Sequence, residues 1–204
     1  MKNFTITPIL LAMSLGLSAT SYAASVSKEQ YTASGKGIDA AYSDAKAACA
    51  SLAGNAKDIC RVDAKGKKNV AWAELESSYK PSVNTSYKVK MARADADYAL
   101  ANEKCDDKAG NDKSVCRKEA KDIRVHAVAD AKLRMKTVEA RTDAMNTTGD
   151  ANVKASDKIA AAKKDANSDK RDADYALAKA KCDVLAGAAK DVCIADAKAR
   201  TGQN

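Results

Sequence analysis

Aromatic residues make up 4% of this 204-residue chain, which has one phenylalanine, one tryptophan, one histidine and two prolines. Each scarcity excludes something. A single imidazole, His126, rules out a metal site built from several histidines of one chain. Two prolines, Pro8 and Pro81, leave little to break a helix. Leu, Ile, Val and Phe together stay below the ~20% that signals too few core-forming residues, so any core is thin. Beyond the first 23 residues no segment is apolar enough to span a bilayer. The cysteines show neither the C-x2–4-C spacing of zinc sites nor the C-x-x-C spacing of catalytic dithiols.

What the chain has is a leader and a great deal of alanine. Lys2, the apolar stretch Ile9 to Leu17 and the small-x-small run Ser21-Tyr22-Ala23 read as a signal peptide over 1–23, cleaved after Ala23. The apolar stretch is shorter than the ~20 residues a spanning helix needs, and no cysteine follows the cleavage site to carry a lipid. An exported, periplasmic or secreted protein without a transmembrane segment is the expectation. Alanine is the best helix former, with Leu, Met, Lys, Arg and Glu close behind. Buried alanine contributes little beside the ~1.5–3 kcal/mol of a buried Leu or Ile. An all-helical fold of this composition needs staples.

Self-comparison supplies them. Tyr42, Ala45, Lys46, Cys49, Leu52, Ala53, Gly54, Asn55, Lys57, Asp58 and Cys60 align without gaps to two later segments. One holds Asp97-Tyr98-Ala99-Leu100-Ala101, Lys104-Cys105-Asp106, Ala109-Gly110-Asn111 and Val115-Cys116. The other holds Asp174-Tyr175-Ala176-Leu177-Ala178, Lys181-Cys182-Asp183, Leu185-Ala186-Gly187 and Lys190-Asp191-Val192-Cys193. All six cysteines fall in these units, centred on 41–66, 97–121 and 174–199. Each unit reads as helix, turn, helix. Tyr42, Ala45, Cys49 and Leu52 recur at helical spacing, and Gly54, Gly110 and Gly187 stand where a left-handed residue would end the first helix. Asn55 and Asn111 suit N-caps of the second helix, and alanine replaces them at 188.

In one straight helix, cysteines eleven positions apart would be ~16 Å apart, whereas a disulfide needs Cα atoms ~4.4–6.8 Å apart. Reversal at each glycine pairs Cys49 with Cys60, Cys105 with Cys116 and Cys182 with Cys193, each worth roughly 3 kcal/mol in the chain-entropy model. The alternative is a helix continuous through glycine, whose two cysteines share a face and pair with another unit. With reversals also at Pro81-Ser82 and Asn146-Thr147-Thr148-Gly149-Asp150, six helices are expected near 38–53, 56–79, 84–109, 112–146, 150–186 and 188–200. The fold class is all-α: three disulfide-stapled antiparallel hairpins in an elongated bundle or coiled-coil-like array over 38–204. Residues 24–37, with Gly35 and Gly37, read as a flexible N-terminal lead. Val128, Ala131, Met135, Val138, Thr142 and Met145 form a coiled-coil-like stripe.

No constellation reads as catalytic, and no cofactor or metal ligand set is expected. Asp165, Asn167 and Asp169 open like a calcium loop, but Lys170 replaces its glycine and Ala176 its bidentate glutamate. Asp95/Asp97 and Asp172/Asp174 lie two apart, so each pair diverges on a helix; they read as surface charge, with Lys170 and Asp174 spaced for an ion pair. His126 lies off the Val128–Met145 stripe and reads as solvated. Trp72, Leu75 and Tyr79 form a core stripe, and Tyr42, Tyr98 and Tyr175 pack beside each staple. The net charge is +8, but lysines alternate with acids and the densest run, Lys65-Gly66-Lys67-Lys68, lacks interleaved aromatics. Specific nucleic-acid recognition is not expected.

The stretch from Tyr175 to Ala199, with Ala178-Lys179-Ala180-Lys181-Cys182-Asp183 and Ala186-Gly187, resembles uncharacterised secreted proteobacterial proteins with Ala/Lys/Asp-rich C-x10-C units. Some similar chains are labelled TolA-like, a likeness of composition, since neither a membrane anchor nor a TolA-type C-terminal globular domain is expected. The resemblance covers the three units, not the intervening helices. It implies a Gram-negative periplasm and transfers no functional residue.

The expectation is therefore a non-enzymatic periplasmic protein with a structural, envelope-stress or chaperone-like role, acting on envelope components or client proteins. Thin alanine faces also suit a homo-oligomer. The alternative is a module binding metal ions or small anions through its Asp-rich and Lys-rich faces. Peptide mapping of the non-reduced protein should find three crosslinks, each within one unit, and no free thiol; crosslinks between units would establish the continuous-helix alternative.

Overall fold

The computed structural model describes residues 26–147 and 150–203. The signal peptide and its cleavage site lie outside the described residues, as do Thr148 and Gly149. Among those described there are six α-helices and no strand: α1 (Lys28–Ala48), α2 (Gly54–Tyr79), α3 (Val83–Lys104), α4 (Gly110–Met145), α5 (Asp150–Cys182) and α6 (Gly187–Thr201). None is long and apolar enough to cross a membrane.

Local chemistry starts two of these helices. Ser27 accepts from the Gln30 amide while the Gln30 side chain accepts from the Ser27 amide, and Ser82 and Thr85 make the same reciprocal pair at α3. Such capping boxes satisfy donors that a helix start leaves orphaned. Thr85 also donates to the Lys80 carbonyl (2.9 Å), which anchors the turn around Pro81.

The stapled turn is built three times in one conformation. In the first, α1 ends at Ala48, Cys49–Ser51 form a 3-10 turn, and Leu52 and Ala53 are extended. Gly54 then opens α2 at φ +54°, matched by +53° at Gly110 and +56° at Gly187. The glycines do occupy the left-handed region, yet they begin the second helix rather than end the first. The turn occupies the residues after each first cysteine, so α3 stops at Lys104 and α5 at Cys182, short of the expected 109 and 186. The N-cap positions are Ala53, Ala109 and Ala186, without a side-chain cap. Asn55 is therefore not a cap: it donates from Nδ2 to the Asp107 carboxylate (2.7 Å) and the Glu103 carbonyl (3.3 Å) of the second stapled turn. Reversal brings Cys49 to Cys60, Cys105 to Cys116 and Cys182 to Cys193, with Cα separations of 5.7, 5.7 and 5.8 Å. All three pairs are disulfide-bonded, and among the described residues no cysteine is free.

Each helix packs chiefly on its neighbours in sequence, α1 on α2 through to α5 on α6. The result is an up-and-down array with the stapled turns at one end. The α4–α5 register is uniform: Glu119 faces Lys181 (3.0 Å), His126 faces Asp174 (3.0 Å), Asp130 faces Lys170, and Asp143 faces Lys158 (3.7 Å). Lys170 thus reaches across to α4 rather than along its own helix to Asp174. The core is alanine, at Ala64, Ala94, Ala120, Ala129, Ala131 and Ala140 among others, with three buried half-cystines and one large aliphatic, Leu75. The coiled-coil-like stripe is only partly realised. Ala131 is buried and Met135 lines the α3–α4 groove, but Met145 is 87% exposed. With 36 residues against 22 in α3, α4 outruns the neighbour that would cover its last turns.

The flexible lead expected over 24–37 is corrected from residue 28 onward, where the chain is already in α1. The Ser27 cap starts the helix, and Tyr31 holds it against Trp72 (ring centroids 6.1 Å, edge-on) and Tyr79 (4.5 Å). Gly35 is buried beneath Trp72, where a Cβ would stand 2.5 Å from Cη2 of the indole. Gly37 has open space around it. The same substitution should therefore have opposite effects two residues apart. Gly37→Ala should raise the melting temperature by about 2–4 °C, because alanine is ~1 kcal/mol the better helix former. Gly35→Ala should lower it, because overpacking at ~1–3 kcal/mol outweighs that gain. Thermal melts monitored by circular dichroism decide this; equal shifts in both variants would refute the Trp72 packing.

Candidate functional site

Long helices in one register bring distant charged groups together, and at one place the result differs from an ordinary surface pair. Asp122 and His126 lie one turn apart on α4, on the same face. Asp174 approaches from α5, with Oδ1 3.0 Å from His126 Nε2. Asp122 Oδ1 lies 3.7 Å from the same nitrogen. One candidate ligand atom from each of the three residues can be chosen so that all lie within 4.8 Å of one another.

Burial of one member, Asp122, separates it from the other charges, while the His126 and Asp174 side chains are 35% and 46% exposed. The Asp122 side chain is 15% exposed, and its Oδ1 is fully buried with no hydrogen-bond donor. Desolvation raises the Asp122 pKa above its ordinary value, the positive field of His126 opposes that shift, and the nearby Asp174 carboxylate adds to it. Asp106 shows the contrary case: hydrogen bonds from Arg117 and Lys113 lower its pKa, helped by their charge. His126, expected to be solvated, instead pairs across the helix interface with Asp174, whose side chain stays 46% exposed as a surface charge. The sequence signal was the Asp122/His126 spacing; its third member, 48 positions beyond His126, depends on the α4–α5 register.

The other predicted residues take structural positions. Lys68 Nζ sits 4.4 Å from the Tyr42 ring centre, and the Arg124 guanidinium 5.7 Å from that of Tyr98. Lys68 and Arg124 occupy equivalent positions of the first two units, while the third has Thr201 there. Asp95 bonds Arg124 (2.6 Å). The basic run is partly neutralised where Lys67 meets Asp63 (2.6 Å). Asp165 lines an α4–α5 groove floored by Ala129, Leu133, Ala162 and Ala166. No protein-family model, curated protein or solved structure matches the chain.

A raised carboxyl pKa has a definite consequence for stability. The folded chain favours protonated Asp122, so ionisation costs stability above the raised value, and the cost vanishes below the unfolded value. In buffer containing a chelator, Asp122→Asn should therefore melt higher than the parent at neutral pH. The difference should shrink as pH falls through the carboxylate range. A variant less stable at neutral pH, or a gap that widens in acid, would contradict the assignment.

Proposed function

We propose that this is a non-enzymatic helical protein of the Gram-negative periplasm, delivered by a cleavable segment ending at Ala23, with a chaperone-like role in holding apolar segments of client proteins. The observation that carries this reading is the placement of its few large aliphatic side chains. Leu75 is the only one among the described residues that is buried. Ile123, Met145, Val153, Val184 and Val192 are each at least 63% exposed. Single exposed hydrophobics are ordinary on protein surfaces. Eight exposed together, among them Val184, Leu185 and Val192 around one staple, are more than that, and each forgoes part of the roughly 1.5–3 kcal/mol of full burial.

Three disulfides fit an oxidising extracytoplasmic compartment and let the framework persist without those side chains inside it. Val184 and Leu185 follow Cys182, and Val192 precedes its partner Cys193, so apolar groups flank the third staple. Mixed charge surrounds them and the net charge is +8, which keeps such a surface soluble without a single-sign field.

Light scattering by a thermally aggregating client tests the reading. The oxidised protein should suppress scattering at about equimolar ratio, and a Val184→Asp/Val192→Asp double variant should suppress it less. Scattering unchanged by the parent protein would remove the proposal.

A further inference from the structure

We propose that Asp122, His126 and Asp174 form a binding site for a small divalent transition-metal ion of the zinc class, which bridges α4 and α5. The proposal is independent of the client-holding reading, because it rests on one polar cluster and not on the apolar surface.

The donor set is mixed and converges from two elements. One imidazole nitrogen and one carboxylate oxygen come from a single face of α4, and a second carboxylate oxygen comes from α5. Zinc takes such donors at about 2.0–2.2 Å in tetrahedral geometry, which separates neighbouring donors by about 3.4 Å. The distances from Nε2 to the two oxygens, 3.0 and 3.7 Å, bracket that spacing. Three protein ligands leave a fourth position for water. A nitrogen donor and so few oxygens disfavour calcium and magnesium, which take six or more oxygen ligands.

A proton shared between the Asp122 and Asp174 carboxyls, whose hydrogen bonding acts on Asp122, is the competing account; it leaves the imidazole out, whereas an ion would engage all three residues. Nε2 carries at most one hydrogen. Directed at Asp174 at 3.0 Å, that hydrogen leaves Asp122 Oδ1 at 3.7 Å, beyond hydrogen-bond range. Asp122 Oδ1 is then buried with no donor from outside the cluster, so it is satisfied only by a proton shared with Asp174 or by a bound ion. Lys181, the other cation acting on Asp122, is paired with Glu119 at 3.0 Å. A metal ion would use the Nε2 lone pair and both oxygens together, with His126 neutral.

The cluster is also particular to its place. Counted from the second cysteine of each unit, the first has Gly66 and Val70 where the second has Asp122 and His126, and the third has Ala199 and Gln203. The repeat therefore does not account for the cluster, whereas the α4–α5 interface does. Because α5 packs on α4 and α6 on α5, a bound ion would fasten the third hairpin to the rest of the array.

Titration calorimetry of Zn²⁺ into the chelator-stripped, oxidised full chain at neutral pH tests this. One ion per chain and a higher melting temperature in zinc are expected, with no heat from Mg²⁺. His126→Ala and Asp174→Asn should each weaken binding by roughly a hundredfold or more, since loss of even outer-shell partners typically costs 10–100-fold. Each should also abolish the thermal shift, while Asp172→Asn, on exposed α5 surface, should leave both intact. Native helicity by circular dichroism shows that a variant is folded, and His126→Gln replaces His126→Ala if that one is not. A flat Zn²⁺ titration of the parent, or affinity unchanged by the His126 and Asp174 substitutions, would overturn the site.

Discussion

The closing of each helical hairpin by a disulfide is the constraint on which the rest of this molecule depends. Alanine lets helices approach closely, but its burial releases too little free energy to hold long charged helices together. A covalent link across a tight turn removes much of the entropy that separation would regain. Because the link sits beside the turn, it sets the direction and register of the two helices that flank it. Among the described residues Cys49, Cys105 and Cys182 are the largest side chains in full burial, so the staples also fill the space at the stapled end. Elsewhere, contacts such as Gly35 against Trp72 and Gly66 against Ala96 show backbones brought close by the absence of side chain.

This construction explains the division of the surface. An array in which helices pack mainly on their sequence neighbours has no central interior, so the few large aliphatics end beside grooves or on open faces. Ion pairs cross most helix interfaces, as at Arg93–Glu74 (2.5 Å) and Lys88–Glu76 (3.1 Å). Exposed pairs of this kind contribute ~0–1 kcal/mol each, and their effect lies more in register than in stability. At Asp122 the same alternation of charge meets a drier interface. There a carboxylate that would be inconsequential on the surface becomes an unsatisfied group with a raised pKa.

The proposed roles use different parts of the molecule. Apolar side chains around the third staple and along the grooves offer a surface for other polypeptides, while the Asp122–His126–Asp174 cluster offers one compact site within the array. Both follow from the same economy: a chain with little to bury leaves apolar groups outside and lets polar groups into its helix interfaces.

The helical class, the three units and the pairing of each cysteine with its unit partner were legible in the residues. Alanine propensity, breaker scarcity and a fixed cysteine spacing are local properties, and turn geometry converts them into covalent structure. Other features were not legible, for reasons that are equally physical. Gly35 and Gly37 suggested a loose lead because propensity is blind to Trp72, whose ring needs the missing Cβ at 35. Asn55 looked like a cap, yet its partners belong to the next hairpin. His126 seemed solvated because its partner Asp174 comes from another helix, at a register set by all the pairs along α4 and α5. Local composition determined that the chain would be helical and where it would be stapled. Packing between helices alone decided which faces meet, and therefore which charges are left without a partner.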